Sequence, residues 1–145
     1  MIIRVDTPGP LTHPQIIAFL KEAAEAQSFP NVEAAAAELD QRISDPDLGV
    51  WFGIEEGELV AVCVAMLPVS TFQVRPQVIF AYNKGSSALW LDIGKIVRAW
   101  MKAAGFNQAW FVNRSGHRDE VAQRAWKALG NITTVGSILE FDLGE

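Results

Sequence analysis

The chain has 145 residues, half of them hydrophobic and a fifth charged, the size and composition of one globular domain and not of a disordered segment. Its net charge of −5 argues against a surface that holds nucleic acid by neutralising phosphates. The longest apolar run, 59–69, contains Pro68 and is too short for a bilayer. The N-terminus lacks the basic-then-apolar layout of a secretory signal. Neither nucleic acid nor membrane is therefore expected as a partner, and a cytoplasmic location is. The single cysteine, Cys63, sits inside that apolar run and reads as a buried small hydrophobe.

In chain order, Ile2-Ile3-Arg4-Val5 is a short strand, stopped by Asp6-Thr7-Pro8-Gly9-Pro10. Thr12 with Gln15 three residues on has the spacing of a capping box, and Pro14 suits a first helical turn. The helix that follows runs to about Gln27 and can bury Ile16, Ile17, Leu20 and Ala24. After Ser28-Phe29-Pro30, Asn31 caps a second helix with Val32, Ala35, Ala36, Leu39 and Ile43 on one side. Next comes a hairpin. Gly49–Ile54 and Leu59–Leu67 are its strands, and Glu55-Glu56-Gly57-Glu58 is its turn. The second strand is apolar on both faces, as a central strand is.

A loop from Pro68 to Pro76 leads to the stretch 77–104. Val78-Ile79-Phe80-Ala81-Tyr82 reads as a buried strand, Asn83-Lys84-Gly85-Ser86-Ser87 as a tight turn. Leu89, Ile93, Ile96, Val97, Trp100 and Met101 recur with helical period. Ser86 or Ser87 can cap this helix, and Gly105 can end it. A strand that runs into a capped helix aims free N–H groups and the positive dipole end at one point, where a phosphate can sit. Gln108–Asn113 is a further strand. Asp119 caps a last helix over 120–129. Ile132 to Leu143 closes the chain as a strand with a bend at Gly136. The order β-α-α-β-β-β-α-β-α-β predicts a single α/β domain over 1–145. Its mixed sheet has helices on both faces, with an antiparallel meander followed by a parallel crossover.

This order resembles the GNAT superfamily of N-acetyltransferases over almost the whole chain. The segment Gly53–Ala61 looks like the family's hairpin between its second and third strands. Asp119-Glu120-Val121-Ala122-Gln123-Arg124-Ala125-Trp126-Lys127-Ala128-Leu129-Gly130 is similar to the family's Asn-x-x-Ala-x-x-x-Tyr-x-x-Leu-Gly. Three signatures depart from the family. Only Gly85 of Tyr82-Asn83-Lys84-Gly85-Ser86-Ser87 fits the acyl-CoA loop. Trp126 replaces the proton-donating Tyr. The strand 78–82 carries no acidic base. A shorter similarity, through Trp110-Phe111-Val112-Asn113 and Lys127–Gly130, is to GNAT-like virion proteins of tailed bacteriophages.

The resemblance implies an acyl-CoA-dependent N-acyltransferase with acetyl-CoA as co-substrate and a small-molecule or protein amine as acceptor. It implies cofactor contacts from the backbone of Phe80, Ala81 and Tyr82, from Lys84, Gly85, Ser86, Ser87 and Ala88 at the turn, and from Asp119. For proton transfer the residues offer His117, near the carboxyl end of a parallel strand, and Tyr82 at the turn. His13, at a helix start, reads as incidental. No metal site is expected, because Cys63 has no partner at ligand spacing. The alternative is a catalytically degenerate GNAT-like module that binds a protein or a second copy of itself. One of Leu89, Trp90 and Leu91 must face away from the core, and a tryptophan exposed there would mark that interface.

Overall fold

In the computed structural model, residues 1–26, 31–68, 75–112, 131–135 and 138–142 are described. The elements are β1 (Ile2–Arg4), a 3-10 turn (Pro10–Thr12), α1 (Pro14–Ala26), α2 (Val32–Arg42), β2 (Leu48–Glu55), β3 (Glu58–Met66), β4 (Gln77–Asn83), α3 (Ser87–Ala103), β5 (Gln108–Val112), β6 (Asn131–Val135) and β7 (Ile138–Asp142). They form one seven-stranded sheet in the order β1-β2-β3-β4-β5-β7-β6. The antiparallel meander β2-β3-β4 and the parallel β4–β5 pair stand as the element order predicts. The last helix expected from sequence, 120–129, lies outside the described residues.

Side chains alternate across the central strands and split the core in two. Trp51, Cys63, Ala65 and Val78 face α3, where Leu89, Ile93, Val97 and Met101 cover them. Val50, Phe52, Val62, Val64 and Phe80 face α1 and α2, where Phe19, Leu20, Ala23, Ala24 and Ala36 cover them. The helix stripe predicted for α3 is the buried stripe, except that Ile96 is exposed and Trp100 only partly buried. Each fully buried side chain of this kind contributes about 1.5–3 kcal/mol by leaving water. Cys63 is fully buried, and burial pushes its thiol up to about 12. It is inert core, as its apolar context suggests. Among the described residues, no helix is long and apolar enough to cross a membrane.

Two sequence expectations change, and a third that the sequence left open is settled. Thr12 does not cap α1. It belongs to the 3-10 turn, where its hydroxyl donates to Gly9 O at 2.9 Å. His13 takes the capping position instead, its Nδ1 accepting from Gln15 N at 3.2 Å. Pro14 already fills the first helical position and lacks an N–H, so the acceptor that serves the second position is the residue just before it. The closing strand is in fact two. β6 and β7 pair antiparallel, from Asn131↔Asp142 to Val135↔Ile138. A period-two pattern reads the same through a hairpin as through one long strand. The side chain that faces outward at 89–91 is Leu91, whereas Trp90 packs partly buried against the α3-side core.

Two bulges shape the part of the sheet nearest the turn. Val60 is the extra residue of β3 between the pairs Gly53↔Ala61 and Ile54↔Leu59. Ile79 is the extra residue of β4 between Ala65↔Val78 and Val64↔Phe80. A bulged strand bends and twists more strongly. Among the described residues, Gln77↔Trp110 and Val78↔Phe111 are the β4–β5 pairs in register, and β4 continues to Asn83.

The turn between β4 and α3 as candidate functional site

β4 leads into α3 through Lys84, Gly85 and Ser86. The turn starts as a continuation of the sheet, with Lys84 N donating to Val60 O at 2.8 Å. Asn83 then folds its side chain over the turn. Its Oδ1 accepts from Gly85 N at 2.9 Å, an arrangement that short amide side chains favour in turns. Ser86 is the N-cap of α3, extended at φ −70° and ψ 153°, and its hydroxyl accepts from Leu89 N at 3.1 Å. This settles the choice between Ser86 and Ser87. The next N–H groups, those of Ser87 and Ala88, have no partner among the described residues. Both residues are exposed.

Two acidic residues that sequence reasoning passed over complete the site. The first is Glu55, at the end of β2. The hairpin turn after it runs through Glu56 (φ 52°) and Gly57 (φ 77°) and sets Glu55 against the β4–α3 turn. Its Oε1 accepts from Ser86 N at 2.7 Å. The Ser86 backbone and side-chain hydrogen bonds hold the Glu55 carboxyl below its ordinary value, against a smaller opposing effect of burial. A Cβ on Gly85 would run into Glu55 Oε1 and lie 2.7 Å from Val60 Cγ2. Gly85, the one residue that fits the resemblance's loop, is thus required here by close packing on Glu55 and Val60.

The second is Glu22 on α1. Lys84 Nζ lies 3.0 Å from both of its carboxylate oxygens, and Tyr82 OH donates to Oε2 at 3.2 Å. The hydrogen bond to Glu22 holds the Lys84 ammonium above its ordinary value. Burial first, and the Glu22 charge second, raise the Tyr82 phenol. The Phe19 ring packs under both, 5.7 Å from Lys84 Nζ and 5.9 Å from the Tyr82 ring. Neither acid was legible beforehand. Glu22 meets its partners across 60 and 62 positions, and no local pattern marks such a pairing.

The predicted residues thus divide into groups. Lys84, Gly85, Ser86, Ser87 and Ala88 form the turn and the first turn of α3. Phe80, Ala81 and Tyr82 follow the described β4–β5 pairs on β4. Tyr82 faces α1, and its hydroxyl is directed to Glu22. His117 and Asp119 lie outside the described residues. On the α1–α2 side of β4, Ile79 and Phe80 also border a cavity of about 270 Å³. Its other walls include Val64, Met66 and Leu39, with Glu38 and Arg42 of α2 among its polar groups. Among the described residues no group of three or more His, Cys, Asp or Glu could hold a metal ion.

Neither a protein-family model nor a curated protein sequence matches this chain. Solved structures do. An aminoglycoside 6'-acetyltransferase of type Ii superposes with a TM-score of 0.69 at 12% identity, covering 100% of this chain and 98% of its own. A GNAT-family acetyltransferase from Streptococcus pneumoniae gives 0.71 at 10% identity, over 99% and 100%. The PaiA N-acetyltransferase of Thermoplasma acidophilum, solved with coenzyme A, gives 0.55 at 15% identity, over 98% and 99%. The fold is that of the GNAT acetyltransferases.

Proposed function

We propose that the protein is an acetyl-CoA-dependent N-acyltransferase of the GNAT type, transferring an acyl group to an amine. One observation carries the reading. The last residues of β4 run directly into a helix N-terminus whose exposed Ser87 and Ala88 carry N–H groups with no partner among the described residues. A neighbour of the same fold holds coenzyme A. The donor set suits a phosphate ester, because the turn already hydrogen-bonds one oxyanion, the Glu55 carboxylate. Acetyl-CoA would supply the activated acetyl group.

The chain's own residues would do the rest. Ser87 and Ala88 bind phosphate oxygen through backbone donors, with Gly85 and Ser86 shaping the turn that presents them. Lys84 adds positive charge, tempered by its pairing with Glu22. Phe80, Ala81 and Tyr82 bind and orient the pantetheine arm along β4. Attack by an amine requires a proton to leave nitrogen, and His117 is the chain's candidate for that step near neutral pH. Tyr82 would deliver the second proton, the one to the departing thiolate, and burial together with the Glu22 charge favours its protonated form. Asp119 completes the cofactor contacts. A second reading, a non-catalytic protein-binding module of the same fold, is favoured by the internal pairing of the Gly85 and Ser86 amides and of Lys84.

Calorimetric titration with acetyl-CoA of the native protein and of Ser87→Pro separates the two. Proline removes one amide at the first helical position, where it is tolerated. The extended Ser86 before it already has the backbone that a following proline demands. The expected result is micromolar binding that weakens on the order of tenfold in the variant, one charge-assisted hydrogen bond's worth. No heat at millimolar acetyl-CoA would leave the module reading.

A further inference from the structure

We infer that Glu55 is an internal occupant of the anion position at the start of α3, and that its carboxylate limits how tightly this turn holds a phosphate-bearing ligand. The inference rests on the cofactor reading above and goes beyond it. A side-chain oxygen accepts from Ser86 N at 2.7 Å, the spacing of a charge-assisted hydrogen bond. The fit is mutual. Gly85 has no side chain where Glu55 Oε1 lies, and Val60, pushed out by the β3 bulge, closes the other wall. Glu55 is half-buried in this seat, whereas Glu56 and Glu58 on the same hairpin are exposed.

The consequence for a ligand is twofold. One of the turn's outward donors is already spent, which leaves Ser87 and Ala88. A fixed negative charge on the Ser86 amide also sits beside them and opposes a second anion, while Lys84, the cation of the turn itself, is held by Glu22. A phosphate must either bind beside Glu55 through two amides or displace it and gain a third. Affinity for the phosphate portion of a ligand therefore depends on a residue of the β2–β3 hairpin, outside the turn that binds it.

The test titrates coenzyme A, pantetheine and inorganic pyrophosphate into the native protein, Glu55→Gln and Glu55→Ala. The glutamine removes the charge and keeps an acceptor for Ser86 N. The alanine removes both. Affinity for coenzyme A should rise from native to glutamine to alanine, on the order of tenfold in all. Affinity for pantetheine, which has no diphosphate, should stay level. Equal affinity for coenzyme A in all three proteins, or weaker binding by the variants, would overturn the inference and leave the cofactor reading standing. If coenzyme A binds to none of them, the cofactor reading fails and pyrophosphate decides. Binding to the variants above the native level supports the role of Glu55, and equal or absent binding overturns it. Circular dichroism on each variant confirms that the turn is being compared within one fold.

Discussion

The two faces of the sheet are built to different standards. Against α3, the strands present small or flat-packed residues, and Ala61, Cys63, Ala65, Val97 and Met101 are all at 0% exposure. Trp51 and Trp100 close the far end edge to face at 5.2 Å, with the Arg4 guanidinium 5.5 and 5.6 Å from the two rings. Against α1 and α2, the buried residues are as apolar, yet Leu39, Met66 and Ile79 remain half-buried around the 270 Å³ cavity. The polar cluster Glu22–Tyr82–Lys84 lies on this face as well. The α3 face fixes the position of the helix and hence of its N-terminus. The α1–α2 face leaves space beside Ile79 and Phe80 of β4.

The largest test of this contrast removes volume from the closed face. Ile93→Ala deletes a side chain that is 1% exposed in the α3 core, and the loss of transfer energy plus cavity should cost about 2–5 kcal/mol. Chemical denaturation measures it. A cost below 1 kcal/mol would mean that α3, and with it the N–H groups at its start, is loosely seated.

Adding volume gives a paired comparison. Ala61→Leu, at a site with no exposed surface on the α3 face, should destabilise by about 1–3 kcal/mol through overpacking. Ala35→Leu adds the same atoms to the wall of the cavity on the other face and should stay within about 0.5 kcal/mol of the native protein. Equal penalties would show that the cavity is not open space. If the proposed function holds, Ala35→Leu should also raise the KM for the amine and leave that for acetyl-CoA unchanged.

The sequence showed one face far better than the other. The stripe Leu89, Ile93, Val97, Met101 and the unbroken apolar run of β3 are local patterns, and such patterns survive any divergence that keeps the core apolar. The Asn31 cap was legible for the same reason, and the α3 cap as one of two adjacent serines, since each acts within three residues. The bulges at Val60 and Ile79 leave no mark in composition, because an extra residue in a strand looks like any other. Glu55 and Glu22 were invisible as site residues. Each is an ordinary exposed-type acid until the topology brings a turn 31 positions away, or a tyrosine and a lysine 60 or more away, against it. Gly85 shows the reverse hazard. It matched a loop pattern by sequence, and the structure adds a packing reason for it that involves no ligand.

The smallest expected effect is also the most specific to the turn. Glu55 has a lowered value in the folded protein and ordinary behaviour when unfolded. Its contribution is therefore present above the unfolded carboxylate range of about 4.3 and is lost as pH falls through the lower folded value. Glu55→Gln cannot titrate, so the difference in Tm between native and variant should be full at pH 7 and should close as pH drops below that range. Glu33, whose carboxyl is also lowered, by Lys21, titrates in both proteins and cancels from the difference. A gap that persists unchanged to pH 3 would mean that Glu55 acts through packing on Gly85 and Val60 alone. A gap that closes on schedule identifies it as the charge that the helix end is already holding.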